Sequence, residues 1–559
     1  MLLRLAPAAT LAVLAGPVVL GLAFTLLPAF GFLPALGGAT FSLDGWRMLF
    51  AAPGFASALA LTFGTGLATT LLALILAAGL CAAAAHRPGM ARLRRLIMPL
   101  LASPPSGVAL GFAFLAMPSG WLVRLLSPWA TGWQVPPAEP VTVGDPLGAS
   151  LVAALLLKEV PYLALMLFAA SATVPVERLT VAARALGRGQ ATAWATVVFP
   201  QLYRQVRLPV FAVLAFSMSV VDVAIIVGPG NPPPLAVLAT RWFKGYDLAL
   251  YYPAAAAATL QFLLVVLAIL LWLACERPIA ALHRRWLARG SRSRAPGAAA
   301  EVAGALAGLL IVLGLLSLLA MLVWSFAGSW RFPAALPDHW QLALWRDEAG
   351  GAAALAGTSA GIGLAAVAIA LVLTLACLEN EQRHGLHPGV AVLWLIYLPL
   401  IVPQIAFLFG VQVLLIHAGL DGTPAAVVWA HLVFVLPFVF LSLADAYRAL
   451  DPRYAMTAAA MGAGRWRVFL VVKLPLLARP ILVAAAVGFA VSIAQYLPTL
   501  FAGAGRVATL TTEAVTLSSG GDRRILGLVA VLQTALPLAA YGLALAVPFL
   551  AFRRFRGMA

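Results

Sequence analysis

Two stretches decide the reading of this chain. The first runs Val176-Glu-Arg-Leu-Thr-Val-Ala-Ala-Arg-Ala-Leu-Gly187, with Val197-Val-Phe-Pro200 ten residues later. The second runs Asp451-Pro-Arg-Tyr-Ala-Met-Thr-Ala-Ala-Ala-Met-Gly462, with Val472-Lys-Leu-Pro475 following at the same distance. Arg178 and Arg453, Gly187 and Gly462, and Pro200 and Pro475 share one offset of 275 residues, a register that chance rarely preserves over two loops. Each stretch predicts a short helix of small residues, a sharp turn at glycine, and a second helix that begins and ends near a proline.

The surroundings place both stretches at a membrane. The chain has 559 residues, of which 63% are hydrophobic and 10% charged, well above the roughly 45–50% apolar share of soluble domains. Its apolar residues arrive in blocks long enough to cross about 30 Å of hydrocarbon as helices. The blocks span 7–33, 55–85, 97–118, 149–171, 207–229 and 253–275, then 301–327, 351–377, 388–417, 424–446, 479–501 and 525–551. Backbone groups in lipid must be satisfied internally, so each block is expected to be a helix. The first is read as a retained span and not a cleaved leader.

The expected architecture is therefore an all-α polytopic membrane protein of about twelve transmembrane helices in two tandem six-helix repeats. Residues 1–290 form the first repeat with its loop at 172–206, 291–300 a linker, and 301–559 the second repeat with its loop at 447–478. The stretch 276–299, rich in Arg, Ser, Gly and Pro, reads as flexible. Weaker echoes support the duplication. Pro104 and Gly111 are spaced like Pro403 and Gly410, Ser219 and Asp222 correspond to Ser492 and Gln495, and Leu260-Gln261 corresponds to Leu532-Gln533. Their common order is that of parallel repeats.

A formal charge of +17 would suggest nucleic acid in a soluble protein, but here the basic residues cluster between apolar blocks. The clusters His86–Arg95, Arg277–Arg294 and Arg553, Arg554 and Arg556 fall on one side of alternating spans. That placement makes the side, and both chain ends, cytoplasmic, and no nucleic-acid partner is expected. Cys81, Cys275 and Cys377 lie at the same side and suggest neither disulfide nor zinc.

The two loops resemble the cytoplasmic loop of binding-protein-dependent ABC importer permeases, whose pattern is Glu-Ala-Ala-x-x-x-Gly, nine residues, then Ile-x-Leu-Pro. Ala182, Ala183, Leu186, Gly187 and Pro200 occupy it first, and Thr457, Ala458, Met461, Gly462 and Pro475 second. Val181 and Met456 stand where the family has glutamate, and Thr457 where it has the first alanine. The resemblance is nearest to fused double permeases of the ferric iron and thiamine transporter group, where Phe216–Asp222 and Ser492–Tyr496 look like fifth helices. It implies the type I ABC importer permease fold in the bacterial inner membrane, one coupling helix per half, two ATP-binding subunits, and a periplasmic binding protein that delivers a small solute. ATP and Mg would sit on the partner chains. This chain has three lysines, Lys158, Lys244 and Lys473, none in a phosphate-binding loop, so no cofactor or catalytic residue of its own is expected.

Two rival readings are an ion-coupled six-plus-six carrier, which has no use for matched elbows, and a membrane enzyme, which would need a cluster of His, Asp, Glu or Cys at acid–base or metal spacing. Ionisable residues within the blocks are costly in lipid and mark pathway or helix-pairing positions. Lys158 and Asp222 are expected to pair across helices. Ser219, Ser492, Gln495, Gln261 and Gln533 bridge helices or line a pathway, and Pro104 and Pro403 kink the third helix of each half. On the opposite face Trp242, Trp330 and Trp340 suit either interfacial anchoring or contact with a soluble receptor.

Overall fold

The computed structural model describes residues 2–84, 90–138, 142–290, 294–386 and 389–551. Residues 86–89 of the first basic cluster, and Arg553, Arg554 and Arg556, lie outside them. The first part of the chain contains α1 (Leu2–Ala29), α2 (Phe55–Ala84), α3 (Met90–Ala102), α4 (Pro105–Ala116), α5 (Ala149–Ser171), α6 (Val176–Ala185), α7 (Phe199–Ser219), α8 (Asp222–Val227) and α9 (Tyr251–Ala288). The second contains α10 (Ala295–Phe326), α11 (Ala349–His384), α12 (Val390–Ile401), α13 (Gln404–His417), α14 (Pro424–Arg448), α15 (Pro452–Ala460), α16 (Ala478–Ile493), α17 (Leu497–Gly503) and α18 (Arg523–Ala551). No strand occurs among the described residues.

Nine helical spans among the described residues are long and apolar enough to cross a bilayer, and two bent pairs raise the number to eleven. The remaining expected span is α7, which carries Arg204 and Arg207 near its start and is apolar only beyond them. Several blocks that composition presents as continuous are broken. The third separates into α3 and α4 at Ser103–Pro104, and its counterpart bends by 85° between α12 and α13 at Val402–Pro403. The fifth stops at Val220 before α8, and its counterpart stops at Ile493 before α17. The expected flexible stretch 276–299 is mostly helical instead: α9 continues to Ala288 and α10 starts at Ala295.

Small residues set the assembly of the bundle. In lipid, helices associate largely by close packing, which small residues permit. The helix α1 lies against α13 and α11, whereas α10 lies against α4 and α2, so each half's first helix crosses the other half. A Cβ added at Gly410 would stand 2.0 Å from the Gly21 carbonyl oxygen, and one at Gly111 would stand 2.4 Å from that of Ser317. The echoed Gly111 and Gly410 are thus points of closest backbone approach to the exchanged helices. On the α2–α10 contact, Gly79 and Gly304 approach in the same way, each with a backbone atom 2.7 Å from the other's hypothetical Cβ. Phe243 of the first half stacks on Phe409 of the second at 4.1 Å between ring centroids and ties the faces opposite the elbows.

Among the tryptophans, Trp330 is half-buried. Its indole donates to the Ala334 carbonyl, its ring lies 4.5 Å from Trp324, and the Arg124 guanidinium sits 4.8 Å from its centroid. Arg124 is itself buried and donates to carbonyls of Ser119, Arg331 and Trp330. Trp340 remains exposed.

Overpacking a helix crossing typically costs about 1–3 kcal/mol. Gly410→Leu should therefore melt well below the wild type in a thermal-unfolding scan of the solubilised protein. Gly357→Leu, on a helix position with nothing within 4 Å, should melt with the wild type.

Candidate coupling site

The two quoted stretches fold alike. In the first, α6 ends at Ala185 and Gly187 adopts φ +83°. In the second, α15 ends at Ala460 and Gly462 also adopts φ +83°. The hydrogen bonds repeat residue for residue. Gly187 donates to the Arg184 carbonyl (2.8 Å) and Arg188 to that of Ala183 (3.3 Å); Gly462 donates to Ala459 (2.9 Å) and Ala463 to Ala458 (3.0 Å). This paired pattern is the Schellman ending, in which a left-handed residue just past the helix lets the next two N–H groups take up orphaned carbonyls. Only glycine adopts that conformation without a Cβ penalty.

The second helix of each elbow differs from expectation. It does not stop at the proline. Gln190–Ala193 leads into a π-helical turn, Trp194–Val198, and then directly into α7 with Pro200 at its start. In the second elbow Arg465–Arg467 leads into a π turn at Val468–Lys473, then Leu474–Leu476 with Pro475, before a 73° bend into α16. The wider π turn skips one donor, which absorbs the N–H that proline lacks. Pro200 and Pro475 are both half-buried at this join.

Each short helix buries one face and exposes the other. Ala183 and Ala458 are buried, where a larger side chain would lift the helix from the bundle. Ala182, Thr457, Gly187 and Gly462 are exposed, and so are the apolar side chains of Val181, Leu186, Met456 and Met461. The same surface places apolar groups in solvent at matching positions of both elbows, an arrangement that suits a protein partner.

The elbows share one face of the bundle. His283 and Trp286, at the end of α9, reach the first elbow: the His283 ring bonds the Thr196 carbonyl at 2.9 Å, and Arg188 lies over Trp286 at 5.2 Å. At the second, Arg4 of α1 donates to His384 of α11 at 3.4 Å. Lys473 and Arg383 both bind the buried Glu379 carboxylate, at 2.7 and 2.6 Å, and Tyr447 donates to it as well. Sequence reasoning passed over this cluster because Glu379 lies just beyond an apolar block. Lys473, a lone charge inside the Val-Lys-Leu-Pro pattern, was the available signal.

The expected polar positions within the spans resolve differently from one another. Lys158 does not pair with Asp222. Its ammonium donates to the carbonyls of Leu100 (2.9 Å), Leu101 (2.7 Å) and Ser103 (2.5 Å). Leu100 and Leu101 would normally accept from residues 104 and 105, but both are prolines and have no N–H to give. The three ammonium hydrogens therefore close the gap that two prolines open. Asp222 sits buried in the first turn of α8, where helix N–H groups favour a carboxylate. Neither Asp222 nor Glu159 has a cationic partner within 4 Å among the described residues.

Ser219 bonds back to its own helix at Ala215, whereas Ser492 bridges to His431 of α14 at 2.8 Å. His431 also contacts Thr499 at 2.8 Å, and the single Thr499 hydroxyl hydrogen is committed to the Gln495 carbonyl. Nε2 of His431 must then donate, and in a neutral ring Nδ1 accepts from Ser492. The Gln495 side-chain oxygen has no hydrogen-bond partner among the described residues. Gln261 donates to the Met218 carbonyl at the α7 break (3.0 Å). Gln533 donates to Thr511 (2.7 Å), which in turn donates to the Ile493 carbonyl at the α16 break, and to Ser106 of the other half (2.9 Å). The two echoed glutamines thus serve the two broken fifth helices.

The chain is 34% identical over 509 residues, 90% of each protein, to the inner membrane ABC transporter permease protein YnjC of Escherichia coli K12. The chain belongs to the ABC transporter permease family. No family model matches it. Membership makes this multi-pass protein a transport subunit and not an enzyme, and ABC permeases as a class work with ATPase partners.

Removing the Lys158 ammonium should loosen the proline break it fills. Lys158→Met is expected to speed amide hydrogen exchange over residues 106–110 while leaving 406–410, beyond the other break, unchanged. Equal exchange at both would show that the ammonium holds nothing there.

Proposed function

We propose that this chain is the fused transmembrane subunit of an ABC importer and that α6 and α15, with their glycine turns, are its coupling helices. The observation that carries the proposal is the pair of identically capped helices, at one offset and on one face, exposing Val181, Leu186, Met456 and Met461 to solvent. Each elbow docks one of two ATP-binding subunits, which hold ATP and Mg. Residues 1–290 and 301–559 act as the two permease repeats joined through 291–300.

The basic residues near the elbows support a cytoplasmic elbow face with both termini on that side, in a bacterial inner membrane. A periplasmic binding protein delivers a small solute to the opposite face; ferric iron, thiamine or a related compound fits the resemblance. The broken fifth helices, with Ser219, Asp222, Ser492 and Gln495, and the proline breaks at Pro104 and Pro403 border the route, because irregular backbone within a membrane is tolerated where protein or a polar cavity receives it. Lys158 supports that route by holding the α3–α4 break. Closure of the ATPases moves the elbows, and the continuous helix from Gln190 to Ser219 carries the motion to the α7 break.

Gly187→Val with Gly462→Val tests the assignment. A β-branched residue in the left-handed region is strained by at least about 1–2 kcal/mol per site, and nothing crowds Gly462, so the strain stays local. The double variant should insert normally but lose ATPase stimulation and uptake. Wild-type uptake would remove the coupling role and favour an ion-coupled carrier.

A further inference from the structure

A cavity of about 610 Å³ opens beside the second elbow, between the start of α1, the end of α11 and α15. Its wall carries four cationic side chains, Arg4, Arg383, Arg465 and Lys473, and one carboxylate, Glu379. Lys473 and Arg383 already neutralise Glu379, which leaves the cavity strongly positive. Two features show that this charge is not absorbed by the protein. Among the described residues neither Arg4 nor Arg465 has an acidic partner, and the Nη2 atom of Arg383, whose guanidinium lies 5.5 Å from the Trp466 ring centroid, is buried without a hydrogen-bond partner. His384 accepts from Arg4 and donates nothing toward the cavity, since its Nδ1 is bonded to the Asn380 carbonyl. The cavity at the first elbow is different in kind: it measures about 440 Å³ and is lined by Leu167, Phe168, Trp194 and other uncharged groups, with one acid, Glu177, against one base, Arg178.

We infer that the cavity at the second elbow binds a phosphate-bearing anion, held by Arg383, Arg4 and Arg465. Guanidinium groups without acidic partners on the wall of a positive cavity call for an oxyanion, and guanidinium forks match phosphate oxygens in pairs. The place favours the phosphodiester of an anionic lipid headgroup. The cavity lies where α1 and α11 leave the apolar zone, and basic pockets between transmembrane helices at that level receive acidic headgroups. Free phosphate offers the same oxygens from the aqueous side. Because α15 forms one wall, an occupied site stiffens the second elbow and leaves the first untouched, so the two elbows respond differently to the composition of the membrane. The membrane setting rests on the permease reading; binding itself does not depend on coupling.

The full-length chain in nanodiscs of phosphatidylcholine, with increasing phosphatidylglycerol, tests this by thermal unfolding. The wild type should show a saturable rise in Tm. In the Arg4→Gln, Arg465→Gln double variant, both positions being exposed, two charge-assisted contacts are lost and the half-saturating fraction should rise by at least about tenfold, the loss expected for one of them alone. Arg178→Gln at the first elbow should behave as wild type. In pure phosphatidylcholine nanodiscs, a Tm rise with inorganic phosphate that the double variant loses identifies free phosphate as the source. No rise in either arm, or rises identical in wild type and double variant, overturns the inference. So does a double variant that loses only ATPase-subunit binding, which would assign the charges to an acidic protein partner.

Discussion

Three of the breaks in this bundle answer one constraint: a backbone carbonyl released inside the membrane must find a donor from a neighbouring element. Lys158 shows it most clearly. Two consecutive prolines strip the donors from Leu100 and Leu101, and one ammonium supplies three hydrogens at that spot. Gln261 serves the break in the first fifth helix, and Gln533 the break in the second through Thr511. A cation or amide in an apolar helix would otherwise be a liability of about 2.5 kcal/mol or more for a charge. Here each is the condition under which a helix can be interrupted at all.

Those interruptions would be useless if the halves slid past one another. The exchange of first helices prevents it, because α1 is held in the second half at Gly21–Gly410 and α10 in the first at Gly111–Ser317. Gln533 adds a polar tie to Ser106 across the same divide. The halves are interlocked near the proline breaks, and in the proposed cycle a push at either elbow is therefore felt by both. The anchoring of the elbows is not equal, however. The first leans on α9 through His283 and Trp286, and the second on a buried Glu379 that gathers Lys473, Arg383 and Tyr447.

Much of this was legible in the residues. Apolar block length located the spans because lipid thickness fixes helix length. The shared offset of Gly187 and Gly462 pointed to identical turns because a left-handed backbone restricts residue choice so strongly. Breaks and partners were harder. Hydropathy cannot see that Ser103–Pro104 separates two helices, since the residues on both sides remain apolar, and it merged 479–501 across the gap after Ile493. Charge alone pairs Lys158 with Asp222, whereas its partners are carbonyls beside the break, two of which the prolines at 104 and 105 leave without donors. Gly111 and Gly410 were visible as an echo, but exchange of helices is a tertiary property that no local spacing records. His431 carried no signal, for a single histidine in an apolar block looks like packing until its two hydroxyl neighbours, 61 and 68 residues away, are seen.

The account turns on two separate docking elbows on one chain, and the native mass of the assembly purified with its ATPase tests that directly. One permease chain with two ATPase chains is the expected mass, falling to one ATPase chain when either 176–187 or 451–462 is replaced by a flexible glycine–serine segment. A single ATPase chain on the intact protein, or two that persist when both segments are replaced, would contradict it.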